Sequence, residues 1–254
     1  MRVVSTLLAV AFCFTAGTVS AEPARKALPP TIAIIIDDMG HSLVEGERLA
    51  NLDQPPTLAF LPYRPHTDSL ARLAYKQHKE IMLHAPMANT RNYGLGPGGL
   101  TPEMDEQSMV TTLRRALQSI PHVQGVNNHM GSKFTADPER MRVVMEVMKS
   151  RGLMFLDSRT SADSVGYSTA SSFGVPAITR DIFIDDADDA AKIADMLART
   201  ENVARKQGFA IAIGHPRDLT IGALRKWIPE IQAKGFVLVP ITDVLRRSMQ
   251  SVTG

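Results

Sequence analysis

Short apolar runs rich in β-branched residues alternate along this chain with longer stretches that have helical patterning. The runs are apolar throughout, which is typical of strands covered on both faces, as in a parallel sheet. We predict strands at 32–36, 57–61, 80–83, 125–127, 154–156, 177–184, 210–213 and 236–239. We predict helices at 42–52, 67–77, 102–119, 138–151, 187–206, 221–234 and 242–249. Seven or eight β/α units predict an α/β fold, either a barrel or a wound sheet.

The charge balance argues against a polyanionic partner. The chain of 254 residues carries 28 Lys and Arg against 26 Asp and Glu, and these charges are interspersed. Proteins that bind a phosphate backbone concentrate Lys and Arg on a patch or stripe, so we expect no nucleic-acid partner. The length suits one α/β domain, and no linker divides the chain. The sequence identifies no protein partner.

The N-terminal residues have the pattern of a secretory signal. A positive start at Arg2 precedes an apolar stretch over 3–19, and small residues lead to a cleavage point after Ala21. We predict a signal peptide at 1–21, a leader at 22–30, a barrel domain at 31–247 and a tail at 248–254. The mature protein would be periplasmic or otherwise extracytoplasmic. Because no later stretch approaches the roughly 20 apolar residues of a membrane helix, we expect no membrane span in it.

The single cysteine of the chain, Cys13, lies within the predicted signal peptide. The mature chain would therefore have neither a disulfide nor a cysteine-based zinc site. An alternative is that Cys13 is the lipidated residue of a lipoprotein. Against that alternative, Phe12 stands where a small residue is expected before a lipidated cysteine.

Five predicted strands end in Asp or His. The residues concerned are Asp37, Asp38, His84, His129, Asp157 and His215. Active groups of parallel α/β folds lie at the carboxyl ends of the strands. A cluster of imidazoles and carboxylates there is what a divalent metal site with a water-activating base requires. The alternative for Asp37 and Asp38 is that they only cap the following helix.

Other side chains could line the same mouth of the fold. Tyr63 and His66 follow the second predicted strand and are candidate substrate contacts. Asn127 and Asn128 directly precede His129, where their amides could orient ligands or substrate. A serine hydrolase is a weaker alternative, because no G-x-S-x-G segment occurs and Ser132 or Ser158 would have to be assembled into a site by geometry alone.

The order of these residues resembles the divergent polysaccharide deacetylases, distant relatives of the NodB-type carbohydrate esterases. The resemblance spans roughly 31–245 and rests on five segments: IIIDDMG at 34–40, LHAPM at 83–87, NNHMGS at 127–132, FLDSR at 155–159 and IGHP at 213–216. It implies a distorted (β/α) barrel of about seven parallel strands. It also implies a divalent metal, usually zinc, at the carboxyl ends of the strands.

The resemblance implies a role for several residues. Asp37 matches the general base and Asp38 its metal-binding partner. His84 matches the first metal histidine and His215 the catalytic acid. The esterases place a second metal histidine four residues after the first, and that position here is Ala88.

We infer that His129, from the next strand, supplies the ligand that Ala88 cannot. Asp38, His84 and His129 would then hold the ion and leave one position open for water. The arginine-proline motif of the esterases is not recognisable, and we expect Asn128 with Arg159 to take over part of its orienting role. The residues expected to orient the substrate are Tyr63, His66, Asn128, Asp157 and Arg159.

The activity implied by the resemblance is metal-dependent removal of N- or O-acetyl groups from an envelope glycan. One alternative is an envelope carbohydrate-binding protein that keeps the fold without turnover, and Ala88 favours it somewhat. Another is a metal-dependent phosphoesterase. That enzyme would need a second metal or a basic clamp, for which only Arg159 and Arg217 lie near enough in sequence.

Overall fold

The computed structural model of the chain describes residues 28–252. Its strands are β1 (Thr31–Met39), β2 (Thr57–Phe60), β3 (Ile81–Met87), β4 (Val123–Met130), β5 (Met154–Asp157), β6 (Ala177–Thr179), β7 (Ile182–Phe183), β8 (Phe209–Gly214) and β9 (Val237–Leu238). Its helices are α1 (Leu43–Ala50), α2 (Thr67–Lys76), α3 (Glu106–Gln118), α4 (Pro138–Arg151), α5 (Gly166–Phe173), α6 (Ala190–Gln207), α7 (Asp218–Ala233) and α8 (Ile241–Val252). Strands and helices thus alternate along most of the chain.

The strands form one parallel sheet. Their order is β6-β5-β4-β3-β2-β1-β8-β7, with β9 beside the start of β1. Within residues 28–252 no pairing joins the outer strands β6 and β7, so the barrel stays open between them. This arrangement confirms the expected distorted (β/α) barrel.

Side chains of the strands alternate between two cores, because successive strand residues point to opposite faces. Along β1, Ile32, Ile34 and Ile36 pack in the core between sheet and helices. Ala33 and Ile35 pack instead in a smaller cluster inside the barrel. Helix α8 closes the amino end of this interior with Ile241, Val244 and Leu245. At this end the Thr57 hydroxyl accepts a hydrogen bond from the Ile241 backbone N–H, whereas His84 lies toward the carboxyl end.

Helix boundaries follow the capping signals where these are strong. The Asp137 carboxylate accepts hydrogen bonds from the backbone N–H groups of Glu139 and Arg140, and Pro138 occupies the first turn of α4. Gly152 ends the same helix with φ of 65°, a left-handed conformation that glycine adopts without steric cost. The expected helix at 138–151 is confirmed.

The sheet has nine strands, whereas the sequence predicted eight and the resemblance implied about seven. The segment expected as one strand at 177–184 forms two, because β6 pairs with β5 while β7 pairs with β8. Arg180 and Asp181 turn the chain between them. The Arg180 guanidinium donates to the Ser158 carbonyl, and the Asp181 carboxylate accepts from the Ile211 backbone N–H. These two residues carry the chain across the opening of the barrel.

Helix α5 was not predicted, because its sequence GYSTASSF is short and made of residues with weak helix propensity. Packing stabilises it instead. A Cβ atom on Gly166 would lie 2.8 Å from the Phe155 ring and 2.9 Å from the Asp157 carboxylate, so only glycine permits this close approach. At the other end of the domain, α8 continues to Val252, beyond residue 247, where we expected the barrel domain to end.

Within residues 28–252, no helix combines the length and the apolar character needed to cross a membrane. The predicted signal peptide at 1–21, including Cys13, lies outside the described residues, as does most of the leader at 22–30.

Candidate active site

The candidate site occupies the carboxyl end of the barrel interior. The alternation that sends Ala33 and Ile35 inward also sends Asp37 inward. The same alternation from inward-facing Met82, Met154 and Ile213 leads to further polar side chains at strand ends. Together these inward positions are Asp37, His84, Asn127, His129, Ser158 and His215. Five strand ends therefore contribute to one polar cluster above an apolar interior.

Three side chains form a compact set of candidate metal ligands. Nδ1 of His129 lies 2.9 Å from Oδ1 of Asp38 and 3.1 Å from Nε2 of His84. The same Nε2 lies 3.4 Å from Oδ1 of Asp38. A tetrahedral zinc ion with bonds of about 2.0–2.1 Å separates its ligand atoms by roughly 3.3 Å. The three separations are close to that value.

The chemistry of the three donors also fits a divalent cation. Oδ1 of Asp38 is buried and has no hydrogen-bond partner within residues 28–252, although two imidazole nitrogens lie beside it. Such convergence of unshared electron pairs around a buried oxygen is unfavourable unless a proton or a metal cation lies among them. Asp38 has a φ of 54°, a rare conformation for a residue other than glycine, and it brings the carboxylate to the mouth of the barrel. Two nitrogens and one oxygen form a donor set suited to zinc.

The cluster perturbs the protonation of its own members. Burial acts to raise the pKa of Asp38, but the neighbouring His129 and His84 outweigh it and hold that pKa well below its usual range. Burial acts to lower the pKa of His84, but the charges of Asp37 and Asp38 prevail and raise it to about 8. Without a cation, a proton on His84 is thus stabilised by the two neighbouring carboxylates.

Asp37 lies beside the three candidate ligands. Its Oδ1 accepts a hydrogen bond of 2.8 Å from Nδ2 of Asn127, and its Oδ2 lies 3.6 Å from Nε2 of His84. Burial raises the pKa of Asp37 and outweighs the opposing charges of His84 and His215. A carboxylate whose pKa is raised in this way accepts a proton more readily than an exposed one.

His215 faces the cluster from the end of β8. Its Nδ1 lies 2.8 Å from Oδ1 of Asp185, and its Nε2 lies 3.9 Å from Oδ2 of Asp38. Burial acts to lower the pKa of His215, but the hydrogen bond to Asp185 and its charge prevail and raise it. The imidazole is therefore held with one nitrogen toward Asp185 and the other toward the candidate ligands.

A cavity of about 530 Å³ opens above these groups. Its lining includes Asp37, His84, Asn128, His129, Ser158, Asp185 and His215, together with Arg91, Tyr93, Met130, Thr160, Phe183, Asp186 and Arg217. Arg91 and Tyr93 come from the segment between β3 and α3, which forms one side of the cavity. The space is large enough for a sugar-sized ligand.

Four of the expected substrate contacts do not line this cavity, namely Tyr63, His66, Asp157 and Arg159. Asp157 is buried, and its carboxylate accepts hydrogen bonds from the Arg159 and Tyr167 backbone N–H groups and from the Ser164 hydroxyl. It organises the loop before α5. Arg159 is exposed on that loop, and Tyr63 and His66 lie in the turn before α2.

Asn128 lines the cavity, but both ends of its amide are engaged with backbone. Its Oδ1 accepts from the Ser158 N–H, and its Nδ2 donates to the Met130 carbonyl. Of the two arginines considered for a phosphate clamp, only Arg217 lines the cavity, and it donates to the Asp185 carbonyl. Ala88 presents no ligand, and its backbone N–H and carbonyl hold neighbouring segments through Leu100 and Phe134.

The sequence did not single out Asp185, and it indicated the amide of Asn127 only together with that of Asn128, not as an expected site residue. A signal for Asp185 was present, because Asp185 and Asp186 follow the apolar Ile182–Ile184 just as Asp37 and Asp38 follow β1. Asn127 is the first residue of the segment NNHMGS at 127–132, and strand alternation from Gly125 places its side chain on the inward face of β4.

A model of the family described as divergent polysaccharide deacetylase matches residues 34–245. The chain belongs to this family. Among its relatives, the uncharacterized protein YibQ of Escherichia coli (strain K12) is 34% identical over 197 residues, which cover 78% of this chain and 62% of that protein. The matched region thus spans less than two thirds of that relative's length.

Solved structures share the deacetylase fold. An uncharacterized protein of Agrobacterium tumefaciens C58 has a TM-score of 0.82 and 26% identity, over 87% of this chain and 92% of that one. The catalytic domain of a peptidoglycan N-acetylglucosamine deacetylase from Eubacterium rectale has a TM-score of 0.55 and 13% identity, over 86% and 94%. A wild-type CE4 family pseudoenzyme from Bacillus anthracis has a TM-score of 0.51 and 14% identity, over 87% and 66%.

Proposed function

We propose that the protein is an exported, metal-dependent hydrolase that removes acetyl groups, bound through nitrogen or oxygen, from an envelope glycan. The observation that carries the proposal is the convergence of Asp38, His84 and His129 within 3.4 Å of one another, with Asp37 on one side and His215 on the other. Metal-dependent hydrolysis needs these three elements, namely an open ligand set, a base and an acid.

A divalent cation, proposed to be zinc, would polarise the acyl carbonyl and lower the pKa of a bound water when held by Asp38, His84 and His129. Asp37 would take up the proton of the attacking water, because its Oδ2 lies beside the ligand His84. His215 would donate a proton to the departing nitrogen or oxygen from Nε2, since Nδ1 is engaged with Asp185. The buried surroundings of Asp37 and His84 exclude water from all but the cavity side.

The glycan substrate is proposed from three sources. The relative from Eubacterium rectale is a peptidoglycan N-acetylglucosamine deacetylase, and the family is one of polysaccharide deacetylases. The cavity above the cluster is lined mostly by polar side chains and carries Tyr93 at its side, which suits a sugar. The signal-like sequence at 1–21 would bring the protein to envelope glycans.

A second candidate is a glycan-binding protein that keeps the fold without turnover. Ala88 stands where the esterases have a metal histidine, and a pseudoenzyme occurs among the structural neighbours. The hydrolase is the better supported of the two, because His129 provides a ligand atom and because Asp37 and His215 face the same cavity.

Two measurements on the purified protein separate these candidates. Metal content after dialysis tests the ligand set, and acetate release from a panel of acetylated glycans tests turnover. We expect about one equivalent of zinc and acetate release that Asp37→Asn reduces by about 10²- to 10⁴-fold while zinc is retained. Equal acetate release by both proteins would remove Asp37 as the base, and zinc binding with glycan binding but no release would favour the second candidate.

A further inference from the structure

Asn127 lies wholly inside the site and joins two of its groups. The residue is fully buried on β4, directly opposite His84 on β3 in the strand register. Its Oδ1 lies 2.9 Å from Nδ1 of His84, and its Nδ2 donates to Oδ1 of Asp37 at 2.8 Å. A third, longer contact of 3.4 Å runs from Nδ2 to the Ser158 hydroxyl. Both ends of the amide therefore form hydrogen bonds with side chains of the site.

We propose that Asn127 is a positioning residue that fixes, with one amide, both the ring tautomer of the ligand His84 and the orientation of the base Asp37. The inference rests on the proposed function. It assigns to this side chain the orienting part that we had expected from Asn128 and Arg159.

The hydrogen-bonding capacity of an amide determines the tautomer of His84 and the contact with Asp37. An amide oxygen only accepts hydrogen bonds, so the neutral ring of His84 keeps its proton on Nδ1 and presents the lone pair of Nε2 toward Asp38 and His129. An amide nitrogen only donates, so it pairs with the acceptor Oδ1 of Asp37 and leaves Oδ2 on the side of His84. The reversed amide would bring two oxygens together at Asp37 and would place a proton on the nitrogen that must bind the cation.

Partners of this kind, hydrogen-bonded to the second nitrogen of a metal-binding histidine, orient the ring and strengthen the ligand. In this protein the partner also holds the proposed base. The base and the ligand consequently keep a fixed relation across β1, β3 and β4, although no direct hydrogen bond joins Asp37 to His84. Asn128 cannot serve this purpose, because its amide is engaged with the backbone of Ser158 and Met130.

Two substitutions separate the effect of Asn127 on His84 from its effect on Asp37. Asn127→Ala removes both contacts. Asn127→Asp keeps an acceptor for His84 but replaces the donor to Asp37 with a second carboxylate. The matched control is Asn128→Ala, which removes a buried amide from the same strand that bonds only to backbone.

The experiment measures Zn²⁺ affinity by chelator competition, the visible spectrum of the Co²⁺-substituted protein, and acetate release, all on the full mature chain. For Asn127→Ala we expect zinc affinity to fall about 10- to 100-fold and the Co²⁺ spectrum to change. For Asn127→Asp we expect zinc affinity within about threefold of wild type, because the acceptor for His84 remains, with acetate release reduced by about 100-fold or more. For Asn128→Ala we expect zinc affinity within about threefold of wild type.

The inference is overturned if Asn127→Ala binds zinc as tightly as wild type, or if Asn127→Asp loses zinc affinity as fully as Asn127→Ala. It is also overturned if Asn127→Asp releases acetate at the wild-type rate. Unfolding of each metal-free variant, followed by circular dichroism, identifies losses that come only from misfolding. A wild-type protein that shows the expected affinities but releases no acetate from any glycan would contradict the proposed function and leave the assignment of the His84 tautomer standing.

Discussion

Nδ1 of His215 lies 2.8 Å from Oδ1 of Asp185, and the other oxygen of that carboxylate accepts hydrogen bonds from the His215 backbone N–H and the Thr220 hydroxyl. Asp185 follows β7, whereas His215 follows β8, so adjacent strands bring the pair together. One carboxylate thus holds His215 at two points, the imidazole Nδ1 and the backbone N–H. Its Nε2 is thereby aimed at the side of the cavity where Asp38 lies.

Asp185→Asn tests this pairing. Asp185 raises the pKa of His215 against the effect of burial, so His215 stays protonated to higher pH while the carboxylate is present. We expect kcat of the variant to fall about 10- to 100-fold. We also expect the alkaline limb of its pH–rate profile for acetate release to move to lower pH. Thr220→Val is the control, because it removes one hydrogen bond to Asp185 but keeps the charge. An unmoved alkaline limb in Asp185→Asn would argue against His215 as the acid.

A comparison of His129→Ala with His215→Ala distinguishes ligand from acid. Both histidines line the cavity, but only Nδ1 of His129 lies within 3.1 Å of Nε2 of His84. We expect His129→Ala to weaken zinc binding by at least about 100-fold, and His215→Ala to retain zinc while losing acetate release. Zinc affinity is measured by chelator competition. Stoichiometric tight zinc in His129→Ala would reject our ligand set.

Zinc binding should depend on pH through His84. Its pKa is raised to about 8 in the metal-free protein, since Asp37 and Asp38 outweigh the opposite effect of burial. Because the cation binds the deprotonated nitrogen, protons compete with it below pH 8. We expect the apparent zinc affinity to fall by about tenfold per pH unit between pH 8 and 6, as measured by titration at each pH. An affinity that is constant across this range would contradict His84 as a ligand.

Asp157→Ala should destabilise the fold. The buried carboxylate accepts hydrogen bonds from Arg159, Ser164 and Tyr167, and its removal leaves these donors without a partner. We expect a loss of about 1–3 kcal/mol in the free energy of unfolding, measured with urea. Asp163→Ala, an exposed residue of the same loop, should change it by less than about 0.5 kcal/mol. An unchanged stability in Asp157→Ala with a raised KM would restore Asp157 as a substrate contact.

The barrel could be predicted because the strands are apolar throughout and end in polar residues, as β1 shows at Asp37. Strand alternation carries the prediction further. From Leu156 inside the barrel, the next residue, Asp157, must point outward and Ser158 inward. The expected role of Asp157 in orienting substrate overlooked this alternation.

Other features depend on contacts that have no local signal. Helix α5 forms because Gly166 can approach Phe155 and Asp157, and neither neighbour is visible from the sequence GYSTASSF. The split of 177–184 into β6 and β7 arises from bonds that Arg180 and Asp181 make with other strands. Long-range partners of this kind override the propensity of a short segment.

The placement of His129 on β4, while Ala88 opens the segment between β3 and α3, has a consequence for how such proteins diversify. The proposed cation ligands all lie at strand ends, so under this assignment residues 89–105 are not needed to hold the ion. That segment, which brings Arg91 and Tyr93 to the cavity, can exchange the side chains that face the cavity while the proposed ligands stay in place. Selectivity for what enters the cavity and retention of the cation can therefore evolve separately in this chain.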